Sequence, residues 1–243
     1  MSDYERFALI LDSANAELAS AALRLLELGI DVLYANDLDE AELLARQESE
    51  RLGAVLIPMT FGLDRVESLL SRVCSKLAAG PRGLVLLGLE PESEFVEVLR
   101  SKGVMWRLWE PFEERELRFV MTAAMATEHG GERRKDIRIP TEISTTVFMG
   151  RHRKDVTVHD LSASGAYLAA THPFLEGSRL NFEIPLPGGL VAGKAEVANA
   201  KTADNAGRAD VPEGMGVVFT QLAPGSGDTL QAYLQGWIQR FRL

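Results

Sequence analysis

Cysteine is nearly missing from this 243-residue chain, in which Cys74 stands alone. A single cysteine excludes an intramolecular disulfide and any metal site built from several thiolates. It falls inside the helical pattern VESLLSRVCSKL, where a small apolar residue belongs in a core. No apolar run reaches the ~20 residues that a membrane-spanning helix needs. The N-terminus, MSDYERFALILDS, sets acids before a short apolar run, whereas a secretory signal starts basic and runs longer. The expected location is the cytoplasm, with no membrane partner. No glycine follows the first apolar run, LILDSANAEL, so a dinucleotide-binding loop is missing. No segment gathers a nucleophile with its base and acid, or a cluster of metal ligands. The chain is therefore expected not to be an enzyme and to need no cofactor.

An excess of positive charge is also lacking. The net charge is −9, unevenly spread. Residues 1–130 carry 23 Asp and Glu against 13 Lys and Arg, and residues 131–243 carry 12 against 13. Neither half has the basic surplus of a duplex-binding domain, so no nucleic-acid partner is expected. The second half does hold basic clusters, at Arg133, Arg134, Lys135 and Arg138, and at Arg151, Arg153 and Lys154. Such clusters on a near-neutral domain suit a small anionic ligand better than a long polyanion.

The remaining composition, 46% hydrophobic and 25% charged, is that of an ordinary globular chain. Over the first half, apolar strand-like runs alternate with amphipathic helices. The runs are FALIL, IDVLYA, AVLIPM, LVLLGL and VMWRLW. The helices are expected at 15–28, 39–52, 64–79, 92–101 and 113–128, the first with Leu18, Ala22, Leu25 and Leu26 near helical spacing. Strict alternation predicts an α/β, flavodoxin-like, doubly wound parallel sheet of five strands.

The pattern breaks at TEHGGER, where Gly130-Gly131 makes a plausible joint. Beyond it come short runs separated by turns: ISTTVFMG, KDVTVHDLS, GAYLAA, RLNFEIPL, GGLVAGKAEVANAKT and GMGVVFT. They predict a small antiparallel barrel. The tail DTLQAYLQGWIQRF sets Leu230, Leu234, Trp237, Ile238 and Phe241 at helical spacing, as a C-terminal helix over the barrel. The expected division is 1–128, a linker at 129–133, and 134–243.

The first domain resembles the response-regulator receiver family over about 1–128. The resemblance rests on the five-fold alternation, on ILDS ending the first strand, and on WEPF after the fifth. In that family an acidic pair binds magnesium, an aspartate after the third strand accepts phosphate, and a Ser/Thr and a Lys respond. Here Asp12 is followed by Ser13, the third strand runs into Pro58 and Met59, Gly88 lies near the hydroxyl position, and Glu110 precedes Pro111 in place of lysine. One carboxylate is a poor magnesium site, and the matching place has no nucleophile. The domain reads as a pseudo-receiver whose Asp12 serves as a strand-end or helix-capping acid.

The second domain resembles PilZ, the cyclic di-GMP receptor family, over about 131–243. Arg134 and Arg138 in RRKDIRIP have the RxxxR spacing, with Arg133 beside them. Asp160, Ser162 and Gly165 in DLSASG match (D/N)xSxxG, and GMGVVF resembles the family's last strand. Taken separately, these segments also read as a solvated basic linker and a polar turn. Taken together, their order and spacing strengthen the resemblance, and the resemblance implies cyclic di-GMP as ligand. Arginine forks onto guanine O6 and N7, bonds phosphate oxygens and stacks on purines. An aspartate accepts from guanine N1–H and N2–H, and Gly165 is expected to let backbone approach the ligand closely. His159 reads as structural.

The expected function is a signalling adaptor for processes such as motility or biofilm. Ligand at the PilZ motifs would alter domain arrangement, and the pseudo-receiver or barrel surface would contact an unidentified protein or, in a homodimer, a second copy of the chain. The alternative is a ligand-independent PilZ scaffold in motility or cell polarity.

Overall fold

The computed structural model describes residues 6–12, 17–126, 136–202 and 211–243. It divides into two units, Met1–Glu132 with Phe241–Leu243, and Arg133–Arg240.

In the first unit the apolar runs are parallel strands: β1 (Phe7–Leu11), β2 (Asp31–Ala35), β3 (Leu52–Pro58), β4 (Leu84–Gly88) and β5 (Trp106–Trp109). Their order is β2-β1-β3-β4-β5, the doubly wound order expected from the alternation. Helices α1 (Ala19–Glu27), α2 (Leu38–Gln47), α3 (Leu63–Arg72), α4 (Ser93–Ser101) and α5 (Glu114–Met125) connect and follow them. Strands covered on both faces need apolar residues at every position, and all five residues of β1 are buried. Leu9 and Leu11 join Val55, Ile57, Leu84 and Leu86 in one core layer with Ala41, Ala45, Val66, Leu69 and Leu99 of the helices. Local signals set the helix starts. Asp37 accepts from the Glu40 N–H at 2.9 Å, and Glu113 with Glu116 forms a capping box at α5.

Two expectations about side-chain direction are corrected. The buried stripe of α1 is Leu18, Ala21, Leu25 and Leu28, and Leu26 is 52% exposed, one position off that stripe. Phe241 lies beyond the end of the last helix and belongs to the first unit. There the Phe241 carbonyl accepts from the Arg107 N–H at 2.9 Å, and the Leu243 N–H donates to Met105 at 3.0 Å. The three residues thereby line the outer edge of β5, and the Phe241 ring sits 5.4 Å from that of Phe119.

The second unit is a closed antiparallel barrel of β6 (Ile139–Met149), β7 (His152–Leu161), β8 (Gly165–Ala169), β9 (Arg179–Leu186), β10 (Gly189–Lys201) and β11 (Gly214–Leu222). Period-two alternation is plain in β9, where Leu180, Phe182, Ile184 and Leu186 are buried and the residues between them exposed. Helix α6 (Ser226–Gln239) packs mainly on β10, burying Leu230 and Leu234. No helix among the described residues is long and apolar enough to cross a membrane.

Candidate functional site

At the strand ends of the first unit, Asp12 is fully buried. Its carboxylate accepts from the Leu18 N–H at 2.7 Å and from the Tyr34 hydroxyl at 2.5 Å. Leu18 is the residue entering α1, so Asp12 holds the start of that helix. Burial, and then the bond and charge of Asp12, push the Tyr34 hydroxyl up to about 12. Pro58 ends β3, Met59 follows it, and the Glu110–Pro111 peptide is cis. Gly88 has φ of 142°, and a Cβ there would stand 3.2 Å from that of Met59, so a hydroxyl-bearing residue would be both strained and crowded. A cleft of about 480 Å³ lies beside these strand ends, bordered by Glu17, Arg24, Leu87, Glu110 and Phe112 among others. The Arg24 guanidinium sits 4.6 Å above the Phe112 ring. Among the described residues, no three His, Cys, Asp or Glu side chains gather to hold a metal.

The barrel assembles the other candidate site by register. On β6 and β7, Ile139 pairs with Leu161 and Pro140 with Asp160. Arg138 immediately precedes β6 and Ser162 immediately follows β7. Residues twenty-odd apart in sequence are thus brought to one end of a two-stranded ribbon. Arg138 is exposed, and Asp160 is partly exposed. Arg133 and Arg134 lie outside the described residues, as does Gly130-Gly131.

Ser162 and Gly165 occupy a different layer. Ser162 is 2% exposed, and both its N–H and its hydroxyl donate to the Gly165 carbonyl, at 2.8 and 3.1 Å. These bonds close the turn between β7 and β8. A Cβ on Gly165 would lie 2.2 Å from the Val217 carbonyl oxygen of β11. The close approach that requires glycine here is therefore between two strands. Sequence alone points that approach at the ligand, because a turn motif does not reveal which strand pairs beside it.

Three further residues share the outer face beside Asp160. Asp160 pairs with Tyr167 on β8, Tyr167 with Gly216 on β11, and Gly216 with Asn199 on β10. By strand alternation Tyr167 faces the side opposite Ala166 and Leu168, it is only 7% exposed, and its hydroxyl donates to the Pro212 carbonyl at 2.7 Å. Burial, and then the Asp160 charge, raise its hydroxyl above the ordinary tyrosine range. The Asn199 side-chain Oδ1 accepts from the Gly216 N–H at 3.3 Å. His159 Nδ1 lies 3.0 Å from Asp160 Oδ2, and its ring meets Tyr167 edge-on at 6.0 Å. In GAYLA every residue is apolar or aromatic, so nothing in the segment marks Tyr167 as outward. Asn199 shows only as a polar break in VANAK, and the row appears only once the strands are in register.

The basic residues at the turn between β6 and β7 make local contacts. Arg153 pairs with Asp155 at 3.3 Å, and Lys154 bonds the His172 carbonyl and lies 4.5 Å above the Phe174 ring.

A model of the PilZ domain family matches residues 132–236. No curated protein matches the chain. Among solved structures, the chain is similar to the Bacillus subtilis inhibitor of motility (MotI/DgrA), with 20% identity, TM-score 0.36 and coverage of 45% of this chain. It spans about half of that protein, 51%. It is also similar to a response regulator receiver domain protein from Clostridium thermocellum, with 16% identity, TM-score 0.42 and 49% and 94% coverage of the two chains. A third is the PilZ domain of YcgR from Escherichia coli with c-di-GMP, with 17% identity, TM-score 0.31 and 45% and 97% coverage. The barrel-bearing segment, residues 132–236, is a PilZ domain.

Proposed function

We propose that this chain is a non-catalytic cyclic di-GMP effector, acting in the cytoplasm without a bound cofactor. The observation that carries the reading is the β6–β7 register, which sets Arg138 beside the Asp160–Gly165 turn within the PilZ segment. Arg138 supplies a fork of donors for phosphate or guanine, and Asp160 supplies an acceptor for guanine N1–H and N2–H. Arg133 and Arg134, five and four residues earlier in sequence, are the further basic residues offered to the ligand. Ser162 and Gly165 shape the turn that holds Asp160 in place.

Output follows from differential binding. A ligand that engages RRKDIR and the barrel turn together favours arrangements in which the two are close, and so changes domain arrangement and protein contacts. The receiver-like unit supplies contact surface without phosphotransfer, because Asp12 is committed to Leu18 and Tyr34. The context is a motility- or biofilm-type response, with a protein partner or a second copy of the chain as the receiver of the signal. Isothermal titration of the full chain with cyclic di-GMP tests binding. Solution scattering with and without ligand tests the rearrangement. Saturable binding with a changed scattering profile supports both, binding with an unchanged profile removes the rearrangement, and no binding removes the effector reading.

One observation favours the ligand-independent scaffold. Two of the three residues of the DxSxxG pattern, Ser162 and Gly165, are accounted for by the barrel itself. The same titration separates the readings.

A further inference from the structure

His159 and Asp160 are consecutive, and in a regular strand consecutive side chains point to opposite faces. Here they do not. The β7–β8 ladder pairs Val158 with Leu168 and then Asp160 with Tyr167, leaving His159 as the extra residue of a bulge. A bulge re-aims a side chain at the cost of one unpaired residue in the ladder. Its effect is to bring the His159 imidazole to the Asp160 carboxylate, Nδ1 to Oδ2 at 3.0 Å. The two side chains are similarly and mostly covered, 22% and 21% exposed. The imidazole is itself braced, since the Tyr167 ring meets it edge-on, and Tyr167 is tied by its hydroxyl to Pro212.

We infer that His159 is a positioning residue for the ligand site. Its Nδ1–H donates to Asp160 Oδ2 and fixes the carboxylate in the rotamer that presents an acceptor to a guanine edge. An ionised carboxylate only accepts, so Nδ1 carries the hydrogen of this bond. The inference rests on the proposal that Asp160 meets a guanine nucleotide. It adds that the recognising carboxylate is held before the ligand arrives, by the sequence Pro212–Tyr167–His159–Asp160. Holding a polar group in its bound geometry lowers the ordering cost of binding. The selectivity that follows is for a base edge with two adjacent donors, as in guanine, over an adenine edge.

The test is a double-mutant cycle on the full chain, with cyclic di-GMP as the titrant and cyclic di-AMP as the control. His159→Ala removes the donor and is expected to weaken cyclic di-GMP binding about tenfold, the loss that corresponds to one bond to a charged group. His159→Asn keeps an N–H donor near the Nδ1 position and is expected to restore most of that loss. In the double variant with Asp160→Ala, removing His159 is expected to cost nothing further, because His159 acts through Asp160. Affinity unchanged in His159→Ala, or losses that simply add, would overturn the positioning role. Nitrogen-15 spectra of the imidazole in the ligand-free chain supply a readout independent of binding. His159 is expected to show a protonated Nδ1 whose signature disappears in Asp160→Ala. If the parent binds no cyclic di-GMP, the ligand reading fails. The spectra then still decide the pair, since a signature indifferent to Asp160 refutes the bond itself.

Discussion

Gly165→Ala adds one methyl group at the start of β8, beside its ladder partner β11. The added Cβ would lie 2.2 Å from the Val217 carbonyl oxygen, 3.3 Å from its carbon and 3.4 Å from the Val218 Cα. Ordinary contact for such atoms begins at roughly 3.5 Å, so the strands must part by about 1 Å. Both neighbours are backbone, and neither can swing away as a side chain would. The displacement strains the Val218–Gly165 and Val217–Ala166 pairs of the ladder. Overpacking of this kind costs about 1–3 kcal/mol. For a domain of this size that corresponds to a fall in melting temperature of about 5–20 °C. Thermal unfolding followed by hydrogen exchange at the β8 and β11 amides reads the effect where it arises. The expected result is an early loss of protection in the barrel, with the first unit unchanged. A variant that melts like the parent yet binds ligand more weakly would refute the reasoning, since Gly165 would then serve the ligand and not the pairing of β8 with β11.

Asp12→Ala removes an acceptor from the Leu18 N–H and from the Tyr34 hydroxyl, and should destabilise the first unit by about 2–4 kcal/mol in chemical denaturation. In the parent, the Tyr34 value of about 12 exceeds its ordinary 10.0, so its contribution to stability is full below pH 10 and is lost as pH rises towards 12. Spectrophotometric titration should show the Tyr34 hydroxyl ionising at lower pH in Asp12→Ala. Phe241→Ala empties a site against Phe119 and should lower the stability of the first unit by about 3 kcal/mol, read by the same denaturation, with the barrel transition in place. Cys74 is fully buried, and burial pushes its thiol up to about 12, so a thiol reagent at neutral pH should label it only after the first unit unfolds.

The order of the elements was legible in the sequence because period and length reported it. FALIL became β1 residue for residue, and RLNFEIPL became β9 with its alternation intact. Alternation of strands and helices leaves few topologies, and the parallel order followed from that rule. Ends and directions were less legible. Leu26 fits a helical stripe by spacing, and only the packing of α1 shows that the stripe turns past it. Phe241 continues the spacing of α6, yet the helix stops at Gln239 and an edge strand takes the residue instead.

The candidate site divides along the same line. Arg138 and Asp160 are read from spacing, and strand pairing brings them together. Gly165 belongs to the same motif, but its lack of room for a Cβ depends on β11, some fifty residues onward, which no local pattern reports, whereas Ser162 bonds Gly165 within the turn itself. His159 is invisible as a partner of Asp160 without the bulge, because the two-residue period assigns adjacent residues to opposite faces.

The central claim is that cyclic di-GMP sits on the outer face of the barrel, between Arg138 and the row from Asp160 to Tyr167. Amide chemical-shift mapping of the full chain during titration tests it most directly. Saturable shifts are expected at Arg138, His159 to Gly165, Tyr167 and Gly216, together with loss of those shifts in Arg138→Ala. No shifts on addition of ligand, or shifts confined to the cleft beside Arg24 and Phe112 in the first unit, would contradict it.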